Sequence, residues 1–163
     1  MRAVRYLGLV CGLALLASAF AATPAHAHYG RQYYGGWSYY PQYNYYYCDY
    51  NYQPYSGYDG YRHHYCIYYP SRPSYVYYYN PYQGYYWGRL DLTAKGENKY
   101  SLLAEKDRKS SVNDIPESAF PKPGKMPAIP ESKDDVQIDP ISPDDLPKGT
   151  PGDLPKKDEL PKK

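Results

Sequence analysis

The chain has 163 residues, of which 26 are tyrosine and 17 are proline, and its length suffices for one modest domain. Its 19 basic and 17 acidic side chains give a net charge of +2, and Arg2 and Arg5 account for that excess. Without these two arginines the chain is neutral. Neutrality argues against nucleic-acid binding, which depends on neutralising phosphates with basic side chains.

The N-terminus has the parts of a secretory signal peptide. Two arginines precede a 14-residue apolar run at residues 7–20, and an A-x-A cleavage site follows, ending at Ala27. We predict cleavage between Ala27 and His28, with a second A-x-A site at residues 19–21 as the weaker alternative. The run is shorter than the roughly 20 apolar residues of a membrane-spanning helix. The mature chain is therefore expected to be exported to the periplasm, the cell surface or the exterior, and not to span a membrane.

Two cysteines, Cys48 and Cys66, remain after removal of residues 1–27, since Cys11 lies within the signal. An even pair in an oxidising compartment predicts a disulfide. The closed loop would contain seventeen residues, and constraining it would stabilise the fold by about 3 kcal/mol. Two free thiols or a bridge between chains are the alternatives.

Residues 28–60 combine tyrosine with Gly, Asn, Gln, Ser and Pro and contain no aliphatic side chain. A segment without Leu, Ile or Val cannot build a conventional core. We therefore predict a loosely ordered, low-complexity segment here.

Aliphatic residues return in residues 61–104, where β-favouring runs alternate with turn signals. We predict a small all-β module, an antiparallel meander of about four short strands. The four runs are YRHHYCIYY, YVYYY, YYWGRLDL and KYSLLA.

The turn between the second and third runs reads Asn80-Pro81-Tyr82-Gln83-Gly84. Asparagine suits the first position, Pro81 fixes φ at the next, and Gly84 accepts a positive φ, as in a common hairpin closure. Side-chain alternation in the third run predicts that Tyr86, Leu90 and Leu92 share one face of the sheet.

Residues 105–163 contain eleven of the prolines together with many charges of both signs. Frequent proline blocks helices and sheet interiors, so we predict a disordered tail. Short repeats recur in it. The tetrapeptide IPES occurs at 115–118 and 129–132, and an acid-Leu-Pro-Lys unit occurs three times. A neutral spacer is the simpler interpretation of these repeats, and a set of docking motifs is the alternative.

The sequence contains none of the common catalytic motifs. The chain has no G-x-S-x-G and no phosphate-binding glycine loop, and its acidic residues lie in unrelated contexts. We predict no enzyme activity, no cofactor and no metal site. A copper site at a terminal His28, with His63 or His64, is a remote alternative.

Tyrosine side chains are the remaining groups that could bind a partner. Of the 26 tyrosines, 24 lie between Tyr29 and Tyr86. Their rings can stack on one another, on sugars and on guanidinium groups. The sequence therefore predicts a structural or interaction protein with a Tyr-rich adhesive surface, whose partner is itself or an envelope polymer. The alternative is a small carbohydrate- or peptide-binding module. Its candidate aromatic surface comprises Tyr77, Tyr79, Tyr85 and Trp87.

Three segments, YYYNPYQGYYWGR, YSLLAEKDRK and IPESAFPKPG, carry a family resemblance. They are similar to shared segments of a functionally uncharacterised group of small, exported, tyrosine-rich bacterial proteins. The resemblance covers roughly residues 61–132. It implies a bacterial, secreted protein and supplies no activity and no site residues.

Overall fold

Seven strands form one antiparallel sheet in the computed structural model, which describes residues 30–148. The strands are β1 (Gln32–Tyr34), β2 (Ser38–Tyr40), β3 (Tyr45–Tyr52), β4 (Arg62–Tyr68), β5 (Tyr75–Asn80), β6 (Tyr85–Asp91) and β7 (Tyr100–Leu102). Single 3₁₀ turns lie at Pro41–Tyr43, Glu105–Asp107, Val112–Asp114, Glu117–Ala119 and Pro143–Asp145. Within residues 30–148, no helix is long and apolar enough to cross a bilayer.

Strands β3 to β7 pair in chain order, each antiparallel to the next. Strands β1 and β2 lie one after the other along the remaining edge of β3. The predicted antiparallel all-β class is thus confirmed, and the four predicted runs are β4 to β7. The predicted number of strands was wrong, because residues 28–60 contribute three more.

Tyrosine replaces aliphatic residues in these additional strands. In β3, Tyr45 and Tyr47 pack on one face of the sheet and Tyr50 and Tyr52 pack on the other, all of them buried. A buried phenol needs a hydrogen-bond partner, and the Tyr50 hydroxyl donates to Gln32 Oε1 at 2.7 Å. Large tyrosine rings supply the buried area that the composition of residues 28–60 had suggested was missing, and the buried Tyr47 hydroxyl is left without a hydrogen-bond partner within residues 30–148.

The sheet has two buried faces. Face A contains both cysteines, Trp87 and several tyrosines, and face B contains Tyr65, Ile67 and Tyr86 among others. The aliphatic residues of the C-terminal half complete both faces. Val112 and Ile115 pack on face B, and the residues on face A are Met126, Ile129, Ile138 and Ile141.

Residues 103–148, here called the strap, run over both faces of the sheet. Arginines of the sheet-forming half anchor the strap through contacts with its polar side chains. These pairs are Arg31–Asp134, Arg62–Glu131, Arg72–Asn113 and Arg89–Glu117. The described part of the predicted tail is therefore packed against the sheet rather than disordered, and residues 149–163 lie outside the described residues.

The two IPES repeats dock in parallel ways on opposite faces. Ile115 is buried on face B and Ile129 on face A, and the glutamate two positions later pairs with a sheet arginine in each case. Arg89 is 7% exposed and lies between the rings of Tyr75 and Phe120, 3.8 and 3.9 Å from their centroids. Each repeat combines an apolar anchor with an ion pair.

A β-bulge in β6 changes which side chains share a face. Tyr78 pairs with Gly88 whereas Tyr79 pairs with Tyr86, so Trp87 is an extra residue on its strand. Tyr86 consequently packs on face B, while Leu90 and Leu92 pack on face A. The prediction that these three residues share a face was wrong, because strict alternation assumes an uninterrupted ladder.

Candidate functional site

The four residues of the predicted aromatic surface lie on two different faces of the sheet. Tyr77 and Tyr79 belong to face B, where Tyr77 is only 1% exposed, and Tyr85 and Trp87 belong to face A. The bulge separates the two pairs. Tyr85 and Trp87 do lie together in a cleft, and that cleft is the candidate site.

The cysteines lie directly opposite each other on β3 and β4, and both are buried. They are free thiols in this structure. Burial, followed by the neighbouring Cys66 sulfur, raises the pKa of the Cys48 thiol well above its usual value. The β3–β4 register thus places the two cysteines of the predicted disulfide opposite each other. The disulfide bond itself stays a prediction. The predicted cleavage site at Ala27 and His28 lies outside the described residues.

The cleft has a volume of about 370 Å³ and lies between the β5–β6 hairpin and the strap. Arg62 and His64 of β4 form its floor together with Trp87. The hairpin wall is Asn80, Tyr82, Gln83 and Tyr85, and the opposite wall is Leu102, Arg108, Pro127, Ala128, Pro130 and Glu131. A second depression, beside Lys99 and Lys125, is lined without any aromatic ring.

Hydrogen bonds within the β5–β6 turn fix the backbone of the hairpin wall. The Gly84 amide donates to the Asn80 carbonyl at 2.8 Å, with φ of +73° at Gly84. The Asn80 side-chain oxygen accepts from the amides of Tyr82 and Gln83 at 2.9 and 3.1 Å. The predicted turn chemistry is confirmed, and it presents the Tyr82 ring at the mouth of the cleft.

Tyr82 is the exposed ring of the cleft, with 43% of its surface accessible. The Arg62 guanidinium lies 5.0 Å from the centroid of this ring, within cation–π range. His63 lies 5.7 Å from it, ring to ring. These neighbours fix the orientation of Tyr82 from below and leave it accessible to a ligand.

Polar groups surround the ring. Arg62 forms an ion pair with Glu131 across the mouth of the cleft. On the hairpin wall, Gln83 Oε1 accepts from the Asn80 amide at 2.9 Å and from the Tyr85 hydroxyl. The Arg108 guanidinium donates to the Tyr85 hydroxyl at 3.2 Å.

His64 lies at the bottom of the cleft as a neutral imidazole. Burial, with smaller effects from His63 and Arg62, lowers its pKa to about 3. Its Nε2 lies 3.2 Å from the Tyr52 hydroxyl, and its ring lies edge-on to Trp87 at 5.6 Å. The His64–Trp87 part of the floor is therefore aromatic and uncharged at neutral pH, and Arg62 supplies the positive charge beside it.

Comparison with family models, curated proteins and solved structures finds no significant match. The resemblance of residues 61–132 to tyrosine-rich exported proteins therefore stays a prediction. Within the described residues, no group of three His, Cys, Asp or Glu side chains is placed to hold a metal ion.

Sequence reasoning missed Arg62, Tyr82, Gln83 and Glu131 as members of one site. Two signals were present: a turn rich in amide side chains beside a tyrosine, and a repeated tetrapeptide with a central glutamate. Neither signal shows that the turn and the repeat meet, because 47 residues separate Gln83 from Glu131 along the chain and the strap must fold back to join them.

Proposed function

We propose that this protein is an exported, non-enzymatic binding module whose cleft takes a carbohydrate. The observation that carries this proposal is the accessible Tyr82 ring, set among planar polar side chains at the mouth of a cleft. An aromatic ring packs against the apolar C–H face of a sugar, and the polar groups around it bind hydroxyls. The export component rests on the predicted signal peptide at residues 1–27.

The burial of the tyrosines favours a localised cleft over a general adhesive surface. Of the 24 tyrosines in residues 30–148, ten are buried and ten are half-buried, and the four exposed ones are Tyr43, Tyr55, Tyr61 and Tyr82. Most of the rings are therefore used for folding. Among the exposed rings, only Tyr82 lies in the cleft.

Titration calorimetry of the full chain with soluble oligosaccharides tests the proposal. The probes are maltohexaose, cellohexaose and N-acetylchitohexaose, with a proline-rich decapeptide to test the peptide alternative. Saturable binding of at least one oligosaccharide is expected, weakened about tenfold or more in Tyr82→Ala, since a stacked ring contributes on the order of 1–2 kcal/mol.

Tyr43→Ala is the matched control, because Tyr43 is 60% exposed and lies outside the cleft. Its affinity should equal that of the wild-type chain. Binding of the peptide alone, or equal losses in the two variants, contradicts the carbohydrate proposal.

Self-association through tyrosines is the second candidate. It is favoured by ring pairs outside the cleft in which one ring is exposed and the other half-buried, such as Tyr43 with Tyr40 at 5.3 Å and Tyr55 with Tyr58 at 5.4 Å. Sedimentation velocity over a range of concentrations tests this role. Self-association that Tyr43→Ala and Tyr55→Ala together reduce supports it, and a strictly monomeric chain contradicts it.

A further inference from the structure

Glu131 has a backbone conformation that few glutamates adopt. The Ser132 amide donates to the Ile129 carbonyl at 2.9 Å, which closes a four-residue turn with Pro130 and Glu131 at its centre. The φ of Glu131 is +62°. Because proline fixes a negative φ at the second position, this is a type II turn, whose third position favours glycine.

Two other described residues, Asn44 and Asp135, also have a positive φ without being glycine. Their short side chains can hydrogen-bond the local backbone and tolerate this region, which a glutamate side chain does less well. A strained residue kept at the mouth of a cleft is a pointer to function.

The side chain of Glu131 connects the strap to the aromatic wall. It forms an ion pair with Arg62, and the same guanidinium packs over the Tyr82 ring at 5.0 Å. The pairing uses Glu131 Oε2, and Oε1 makes no hydrogen bond within residues 30–148. With 56% of the side chain accessible, an acceptor oxygen remains available beside Tyr82.

A purely structural ion pair does not require this strain. Glu117 occupies the same position in the other IPES repeat, in a 3₁₀ turn, and pairs with Arg89 through both of its oxygens. The positive-φ residues of the described chain do not include Glu117. The same tetrapeptide therefore anchors the strap without a positive φ, and only its second copy borders the cleft.

The available groups indicate the ligand. Glu131 offers an acceptor, and the side-chain amide nitrogen of Gln83 and the remaining N–H groups of Arg62 offer donors. Vicinal hydroxyls both donate and accept, and they match such a set. A carboxylate placed beside Glu131 would meet its negative charge, and Glu131 already offsets the charge of Arg62. Arg108 adds a second positive charge to the cleft wall.

Resting on the proposed carbohydrate function, we propose that Glu131 is a ligand-binding residue that accepts hydrogen bonds from sugar hydroxyls. It follows that removing the charge of Glu131 shifts the preference of the cleft from neutral towards acidic saccharides.

The test compares Glu131→Gln and Glu131→Gly with the matched variant Glu117→Gln in the full chain. The probes are the neutral oligosaccharides named above and oligogalacturonate. Glu131→Gln should weaken binding of the neutral probes about tenfold or more, because hydrogen bonds to charged groups are the strong ones. It should also improve binding of oligogalacturonate relative to the neutral probes. Glu117→Gln should leave every affinity unchanged and lower the Tm.

Glu131→Gly separates binding from folding. Glycine relieves the positive φ and removes only an exposed ion pair, so the Tm should equal or exceed that of Glu131→Gln while binding is lost. Wild-type affinity for the neutral probes in Glu131→Gln overturns the role of Glu131 and leaves the carbohydrate function standing. If the wild-type chain binds none of the oligosaccharides, the proposed function itself fails.

Discussion

Acid should destabilise this protein through His64, a residue of the cleft floor. The side chain is 4% exposed and is surrounded by Tyr52, Trp87, Tyr82 and the two basic neighbours on its own strand. Burial lowers its folded-state pKa to about 3, against about 6.5 in the unfolded chain.

The direction of the effect follows from proton uptake. Below pH 6.5 the unfolded chain binds a proton at this histidine and the folded chain does not, so the free energy of unfolding falls as the pH decreases. The loss amounts to about 2 kcal/mol between pH 7.5 and pH 5, since each pH unit within the window contributes about 1.4 kcal/mol. It levels off as the pH reaches the folded-state pKa near 3.

Urea unfolding of the wild-type chain and His64→Gln at both pH values measures this contribution. The difference in the free energy of unfolding between the two proteins should shift by about 2 kcal/mol in favour of the variant from pH 7.5 to pH 5. This shift is expected even if His64→Gln is the less stable protein at pH 7.5. His63→Gln is the control, because it alters the adjacent half-buried imidazole and leaves the burial of His64 in place. A difference between wild type and His64→Gln that is independent of pH would refute the reasoning.

Three further predictions concern packing and anchoring. Gly88→Ala should destabilise the fold by about 2 kcal/mol in urea unfolding, because a Cβ there would lie 2.7 Å from the Ser101 carbonyl oxygen and against the Tyr100 ring; unchanged stability would contradict the packing. Intact mass of the mature, oxidised chain should be lower by two hydrogens than after reduction if Cys48 and Cys66 pair, and an unchanged mass argues for thiols. Hydrogen bonds from Arg89 lower the pKa of Glu117 in the folded protein. The Arg89–Glu117 ion pair therefore stabilises the fold above the ordinary glutamate pKa, and this stabilisation is lost as the pH falls through the folded-state pKa of Glu117. Glu117→Gln should therefore lower the Tm at pH 7, and the gap to wild type should narrow as the pH falls below the ordinary glutamate pKa. A gap that stays constant on acidification would argue against the ion pair.

Local patterns determined a large part of the architecture. The β-favouring runs of residues 61–104 and the Asn80–Gly84 turn predicted β4 to β7 and their antiparallel order, because strand propensity and turn chemistry act over a few neighbouring residues. The same reasoning underestimated residues 28–60. A core forms there without aliphatic residues, because tyrosine rings supply the buried area and their hydroxyls can find hydrogen-bond partners.

The site depended on contacts that no local pattern contains. The bulge at Trp87 moved one half of the predicted aromatic surface to each face, and the fold of the strap placed Glu131 over Arg62 and Tyr82. Composition alone predicted that tyrosine rings, rather than a basic surface, would supply the interactions of this protein. Only the tertiary structure decides which rings are buried and which ring faces the cleft. The exposure of a side chain depends on the residues that cover it, and here the covering residues of the strap are distant in sequence.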